Sequence, residues 1–227
     1  MRRALTLALF ATLTACSGGD DGDGTTTPTG DDGVANIEGS VFALDISELS
    51  VANADEALSD VISLFFSGTI VLHTHQQDGT GVKVQMGYAE ADGSQDVCAP
   101  TSNFPNATFT GNDFDFGPSD TTINTTTTSF QVLGMSGGGT VSADGQSLDD
   151  LELQGKVDLR QAVGFAGFDD VTDLCDTFSN LDLDCGDCGD GSISCVDLEL
   201  VGMRAVRDTY EFTSISQSDA AANCPTR

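Results

Sequence analysis

The chain has 227 residues, of which 36 are Asp or Glu and 8 are Lys or Arg, so its formal net charge at pH 7 is −28. A charge of this size and sign repels nucleic acid and bare anionic membrane, which excludes both as partners. The hydrophobic fraction of 39% is enough for a folded core, and the absence of Trp excludes sugar-binding platforms built on Trp rings.

The N-terminus has the order of a secretory signal, with a basic start at Arg2 and Arg3, an apolar run over residues 4–13 and small residues after it. The apolar run is shorter than the roughly 20 residues that a membrane-spanning helix needs. Its end, Leu13-Thr14-Ala15-Cys16, resembles the lipobox of bacterial lipoproteins, in which the Cys is acylated and becomes the mature N-terminus. The resemblance implies that residues 1–15 are a signal peptide and that Cys16 carries the lipid.

The same resemblance implies two or three acyl chains, which are the only predicted contact with a membrane. Removal of residues 1–15 takes away Arg2 and Arg3 and no acid, so the mature chain carries 36 acids and 6 bases, a formal charge of −30. Residue 17 is Ser, whereas Asp at this position retains enterobacterial lipoproteins at the inner membrane. We therefore expect the cell envelope, and specifically the outer membrane, as the location.

Residues 16–35 are predicted to be a lipidated N-terminus followed by a disordered tether, because the segment is rich in Gly, Thr and Asp and lacks core-forming side chains. A flexible chain of this length spans on the order of 20–25 Å. Residues 36–227 are predicted to form a single β-rich domain.

Assignment of Cys16 to lipid leaves an even number of cysteines. In an exported protein, six cysteines predict three disulfides, whose connectivity has fifteen possibilities that the sequence leaves open. The candidates are Cys98, Cys175, Cys185, Cys188, Cys195 and Cys224.

Alternation of apolar and polar residues predicts a strand beginning near Ile37 and a hairpin of two strands over residues 69–77 and 81–91. Between the first strand and this hairpin, Asn53 resembles a helix cap, and residues 54–65 have helical spacing up to a stop at Gly68. The aromatic residues Phe109, Phe114 and Phe116 suggest one strand.

Farther along, residues 130–135, 139–142 and 148–159 are predicted to be successive antiparallel strands, the last with Leu151, Leu153, Gly155 and Val157 on its apolar face. Residues 168–178 and 216–223 are predicted helices, and residues 193–206 are the last strand. This pattern predicts a mainly β (or α+β) fold, an antiparallel β-sandwich or partly open barrel with two or three short capping helices.

Residues 134–138 match the G-x-S-x-G pattern of esterases, with Ser136 as the nucleophile. The context does not fit, because that motif requires a helix directly after the Ser and a His later in the chain, and both histidines here precede Ser136. We therefore predict a glycine-rich turn.

His73 and His75 lie two residues apart in a predicted strand and therefore on one face, as some zinc and copper ligands do. A metal site needs three or four ligands, so the preferred interpretation is a solvated strand face.

Cys185 and Cys188 have the C-x-x-C spacing of thiol-disulfide oxidoreductases. The surrounding Asp residues disfavour a thiolate, so structural disulfides are preferred over redox chemistry, and an oxidising compartment favours disulfides over zinc. The four carboxylates of this loop provide a calcium hypothesis instead, because Ca²⁺ prefers oxygen ligands. They belong to Asp182, Asp184, Asp187 and Asp190.

The sequence thus predicts a lipid-anchored envelope protein without a catalytic residue or a cofactor other than possible calcium, whose domain is a non-catalytic binding or interaction module. A small apolar ligand is expected if the sheet encloses a cavity lined by Phe residues. The alternatives are an envelope hydrolase or thiol-redox protein, based on Ser136 or on Cys185 and Cys188, and a purely structural envelope component.

Overall fold

A computed structural model describes residues 35–46, 49–54, 58, 69–78, 81–90, 92–125 and 128–224. The predicted signal peptide, Cys16 and the predicted tether up to residue 34 lie outside the described residues. Most of the predicted helix between residues 53 and 68 also lies outside them. Its residue Leu58 is described and is fully buried in the core.

Eight antiparallel strands form a closed barrel in which each strand pairs with its neighbour along the chain and the last pairs with the first. They are β1 (Val41–Asp45), β3 (Thr69–Asp78), β4 (Gly81–Ala89), β6 (Ala107–Thr110), β7 (Asp113–Asn124), β8 (Ser129–Val141), β9 (Ser147–Asp158) and β11 (Ile193–Asp208). The closing pair joins Val41 to Asp208 and Asp45 to Arg204. The prediction of a mainly β, antiparallel fold is confirmed, and closure removes the sheet edges.

Three further strands, each of two residues, extend this sheet. β2 (Ser50–Val51) and β10 (Gly186–Asp187) pair with β11, and β5 (Ser102–Asn103) pairs with β4. The predicted hairpin is confirmed, since β3 and β4 pair from Thr69 opposite Ala89 to Asp78 opposite Gly81.

Two strand predictions were wrong. Phe109 and Phe114 lie in two strands, β6 and β7, which are joined by a tight turn at Gly111, whose φ is +66°. Residues 130–135 and 139–142 were predicted as two strands around a glycine-rich turn at residues 134–138, but the chain continues without a turn through the single strand β8, which ends at Val141. The glycines of this segment allow close contacts between neighbouring strands, and their sequence pattern does not distinguish this role from a turn.

The lower end of the barrel, where β1 begins, is covered by residues 35–40. Ile37 is buried, its carbonyl accepts a hydrogen bond from the Thr74 hydroxyl, and its amide donates to the side chain of Gln77. This segment joins the predicted tether to the barrel.

The upper end, where β11 begins, is covered by the connection from β9 to β11. It contains a 3-10 helix (Leu159–Gln161) and helix α1 (Val171–Ser179), which buries Leu174 and Phe178. The carboxylate of Asp170 caps α1 by accepting from the amides of Thr172 and Asp173. The second helix, α2 (Gln217–Asn223), begins with a capping box between Ser216 and Asp219, so both helices predicted within the described part are confirmed.

No helix in the described part of the chain combines the length and apolar character required to span a membrane. Asn53 hydrogen-bonds the backbone of β11 at Asp197 and Glu199, while the first turn of the helix that it was predicted to cap lies outside the described residues.

Residues 209–224 form the C-terminal arm, whose first part lies on the outer surface of β3 and β4. Tyr210 and Phe212 pack there against Val41, Val71 and Ala89. The end of the arm is attached by a disulfide between Cys98 and Cys224, which are 126 positions apart.

Candidate ligand site inside the barrel

The inward side chains leave a cavity of about 200 Å³ within the barrel. Almost every residue around it is apolar, because inward positions alternate with polar outward positions along each strand. The inward residues of β9 predicted from the sequence are among them. The lining includes Leu44, Ile70, Leu72, Val84, Met86, Phe104, Phe114, Phe116, Ile123, Phe130, Val132, Leu148, Leu151, Leu153, Val157, Leu198, Leu200 and Met203.

Several of the side chains that line the cavity are only half-buried although they point into the barrel. Val84, Phe104, Phe116, Leu153 and Leu198 belong to this group. In a close-packed interior such side chains would lose nearly all their accessible surface. Their exposure therefore marks apolar surface that lines an unfilled space.

Aromatic rings form one wall of the cavity. Phe104 and Phe116 meet edge to face with ring centroids 5.7 Å apart, and Phe109 and Phe114 meet in the same way at 6.3 Å. This arrangement is the favourable one for aromatic pairs, since it places a ring edge against a ring face.

The glycines of β8 make room for these rings. A Cβ atom on Gly137 would lie 2.3 Å from the carbonyl oxygen of Glu152 and 2.8 Å from the ring of Phe116, and a Cβ on Gly139 would lie 2.7 Å from Leu151. Only glycine permits this approach, so the motif that resembles an esterase signature shapes the cavity wall.

Tyr88 introduces a polar atom into the inward face of β4. It lies two residues beyond Met86, opposite Ile70 of β3, and is 1% exposed. Its hydroxyl has no hydrogen-bond partner among the described residues, and burial raises its pKa far above its usual value. The group therefore stays neutral at physiological pH.

Two disulfides hold the upper cover of the cavity. Cys175 of α1 is bonded to Cys185, and Cys188 is bonded to Cys195 of β11. With Cys98–Cys224, all six candidate cysteines are paired as the sequence predicted, and such a set of disulfides indicates an extracytoplasmic protein. Cys185 and Cys188 are not bonded to each other.

An ion-pair network ties the same cover to the barrel. Arg160 contacts the carboxylate of Asp158 at 2.6 Å and that of Asp190 at 2.8 Å. Burial acts to raise the pKa of Asp158, but hydrogen bonds from the side chain and amide of Arg160 outweigh it and hold this pKa below its usual value.

The remaining calcium candidates are engaged mainly in local bonds. Asp184 accepts from Ser179, and Asp187 accepts from the amides of Gly189 and Gly191, while Asp182 has a left-handed backbone with φ of +60°. Within the described ranges, the one cluster of three potential metal-ligand atoms is Asp158, Cys188 and Cys195, whose two sulfurs form a disulfide. The structure thus does not bring the four carboxylates together, and calcium binding stays an untested prediction.

Ser136 lies in the middle of β8, where its hydroxyl accepts a hydrogen bond of 3.1 Å from Gln154. A strand, not a helix, continues after it. The geometry of a nucleophile elbow is therefore absent at Ser136.

His73 and His75 lie on the outward face of β3, as predicted. The ring of His73 stacks on Phe212 of the C-terminal arm with centroids 4.7 Å apart and also stacks on His75 at 5.9 Å. Burial lowers the pKa of His73, and electrostatic repulsion from the nearby His75 lowers it further. The strand face predicted to be solvated is thus covered at His73, and no local pattern indicates this cover, because Phe212 lies 139 positions from His73.

Fold and cavity together define a closed eight-stranded antiparallel barrel with an apolar interior. Comparisons of the chain with protein-family models, with curated proteins and with solved structures found no match.

Proposed function

We propose that this protein is a lipid-anchored component of the cell envelope whose barrel binds a small apolar ligand without transforming it. The observation that carries the proposal is the apolar cavity of about 200 Å³ inside the barrel. The interior of an eight-stranded barrel is either filled by side chains or holds one small ligand. The half-buried inward residues of this barrel favour a bound ligand.

The size of the cavity limits the ligand. An apolar cavity of roughly 150 Å³ stays dry and accepts benzene, so a cavity somewhat larger fits one or two fused rings or a short alkyl chain. Transfer of such a ligand from water gains about 25 cal/mol for each Å² of apolar surface buried. Desolvated apolar contact is thus the main source of affinity.

The anchoring part of the proposal is supported by the lipobox-like sequence ending at Cys16 and by the three disulfides, which require an oxidising compartment. Residue Ser17 favours the outer membrane. The closed lower end of the barrel connects directly to the predicted tether, so the acyl chains can be in a membrane while the cavity remains free.

Binding is tested by titration with 1-naphthalenemethanol, a neutral two-ring alcohol whose fluorescence changes on transfer to an apolar site. The full chain carries Cys16→Ser, so that no detergent competes for the cavity. Because the chain has no Trp, the probe signal is free of Trp emission. We expect saturable binding of one probe per chain.

Two inward substitutions, Val84→Phe and Leu198→Phe, fill the cavity from different walls and should each weaken binding at least tenfold. The matched control is Val206→Phe, on the outer surface of β11, where Val206 is 44% exposed. It should bind like the parent chain. Absence of saturable binding to the parent chain, or equal loss in the control, contradicts the proposal.

A further inference from the structure

The regular pairing of β9 with β11 is interrupted at one place in the barrel wall. Leu200 pairs with Leu153, Met203 with Leu151 and Ala205 with Leu148. Between the first two pairs β11 has one residue more than β9, and between the last two β9 has one more than β11. Two bulges on opposite strands therefore enclose the pair of Leu151 and Met203.

The backbone at each bulge is left-handed. Gly202 has φ of +77°, and Asp150, which is not a glycine, has φ of +52°. On the other side of β11, β1 ends opposite Arg204 and β2 begins opposite Val201. Among the described residues, no strand therefore pairs with Gly202 or Met203 on that side, and on the side of β9 the two bulges disturb the ladder.

A second hollow of about 370 Å³ lies at this interruption, formed by residues 149–152 of β9 and 201–204 of β11. Leu151, Glu152 and Met203 line both this outer hollow and the inner cavity. Leu151 and Met203 are buried, so their side chains separate the two spaces. Methionine is unbranched and adapts its shape readily, which makes Met203 an easily displaced barrier.

The edge of the outer hollow is polar and negative. Asp149, Asp150 and Glu152 contribute three carboxylates, against one guanidinium from Arg204, which contacts Asp149 at 2.6 Å. Asp150 and Glu152 are exposed and have no ion-pair partner among the residues that the structure describes. A negatively charged group entering here meets net repulsion, which the charge of −28 on the whole chain increases.

We propose that the inner cavity opens at the outer hollow between β9 and β11, and that its ligand is a neutral or cationic amphiphile whose apolar part enters past Leu151 and Met203. Its polar head stays in the outer hollow beside Asp150 and Glu152. This inference rests on the proposed binding function and adds the route and the class of ligand. An anionic amphiphile with the same apolar part is excluded from this class of ligand.

The class of ligand is tested with three probes that share one two-ring body. They are 1-naphthylmethylamine, which is cationic at pH 7, neutral 1-naphthalenemethanol and anionic 1-naphthoate. In the full chain with Cys16→Ser, we expect the amine to bind at least as tightly as the alcohol and the carboxylate to bind more than tenfold more weakly.

Glu152→Gln and Asp150→Asn remove the charges without loss of shape, and Asn tolerates the left-handed backbone of residue 150. Each should weaken amine binding about two- to fivefold, as expected for an exposed charge pair, and leave alcohol binding unchanged. Asp169→Asn, in the connection between β9 and β11, is the control and should change neither.

The route is tested by stopped-flow mixing with the alcohol. Val201→Phe narrows the outer hollow and should slow association and dissociation together, with little change in Kd, whereas Val206→Phe on the same strand should change neither rate. Rates equal to the parent in Val201→Phe, or carboxylate binding as tight as amine binding, overturn this inference. If the alcohol does not bind the parent chain at all, the proposed function itself fails.

Discussion

Gly137, Gly138 and Gly139 show how single residues determine the shape of the barrel interior. At each position the nearest neighbour of a hypothetical Cβ is less than 3.0 Å away, on β7 or β9. None of the three has a positive φ. Glycine is therefore required at these positions because it has no side chain, and not because of its backbone angles.

Gly137→Ala should lower the free energy of unfolding by about 1–3 kcal/mol, because the new methyl group overpacks β8 against β9 and Phe116. Gly164→Ala is the control, since a Cβ there meets nothing within 4 Å. It should leave stability unchanged or raise it slightly. Urea denaturation followed by circular dichroism measures both, and equal stability of the two variants would contradict the packing role.

The sequence predicted the roles of some of these individual residues and not of others. The inward set of β9 followed from its alternation with Glu152 and Gln154, and the six paired cysteines followed from their even number. The roles of Gly137 and Gly139 did not, because glycine has the same local signature in a turn and at a close contact between strands. The bulges at Asp150 and Gly202 were also missed, although the double acid at residues 149 and 150 breaks the alternation of β9.

Among the elements, the C-terminal arm contributes contacts that no local pattern indicates. Phe212 covers Gly87 of β4 and His73 of β3, with an atom of its ring 2.9 Å from the position that a Cβ of Gly87 would occupy. Backbone and side-chain bonds continue along the arm, where Gln95 and Thr213 exchange two hydrogen bonds and Ser214 donates to Gln85. Such contacts depend on tertiary packing, which periodicity within one segment cannot reveal.

Phe212→Ala should raise the pKa of His73 toward its usual value, because removal of the ring exposes the imidazole to water. The pKa of His73 is lowered in the folded chain, so folding loses stability as pH falls below the unfolded value of about 6.5, where the unfolded chain binds the proton first. In Phe212→Ala this pH dependence should be weaker.

Proton NMR titration of the two histidines measures the effect directly. Phe165→Ala, in the connection between β9 and β11, is the matched control and should leave the His73 titration unchanged. An unaltered titration of His73 in Phe212→Ala would show that the arm does not cause its burial.

At the scale of the whole molecule, the fold class was predictable because many short alternating segments with turn residues between them favour an antiparallel sheet. Closure was not, because the sandwich and the barrel share the same alternation and differ only in whether the first and last strands pair. That pairing, between β1 and β11, joins segments at opposite ends of the domain.

Cys16→Ser should release the protein from the membrane, since it removes the residue that the lipobox-like sequence marks for acylation. Fractionation of cells into soluble and membrane parts, followed by immunoblotting, measures the change. Ser17→Ala, which leaves the Cys in place, should remain in the membrane fraction. Retention of Cys16→Ser with the membrane would contradict the lipid anchor.

The order of the strands also governs how the chain acquires its structure. Each hairpin along the meander joins neighbouring segments and can form early, whereas the last seam joins residues 41 and 208 and requires nearly the entire chain. Until that seam forms, β1 and β11 each present an unpaired edge and the apolar interior is exposed to water. A chain released one segment at a time therefore needs protection from aggregation until its final strand arrives.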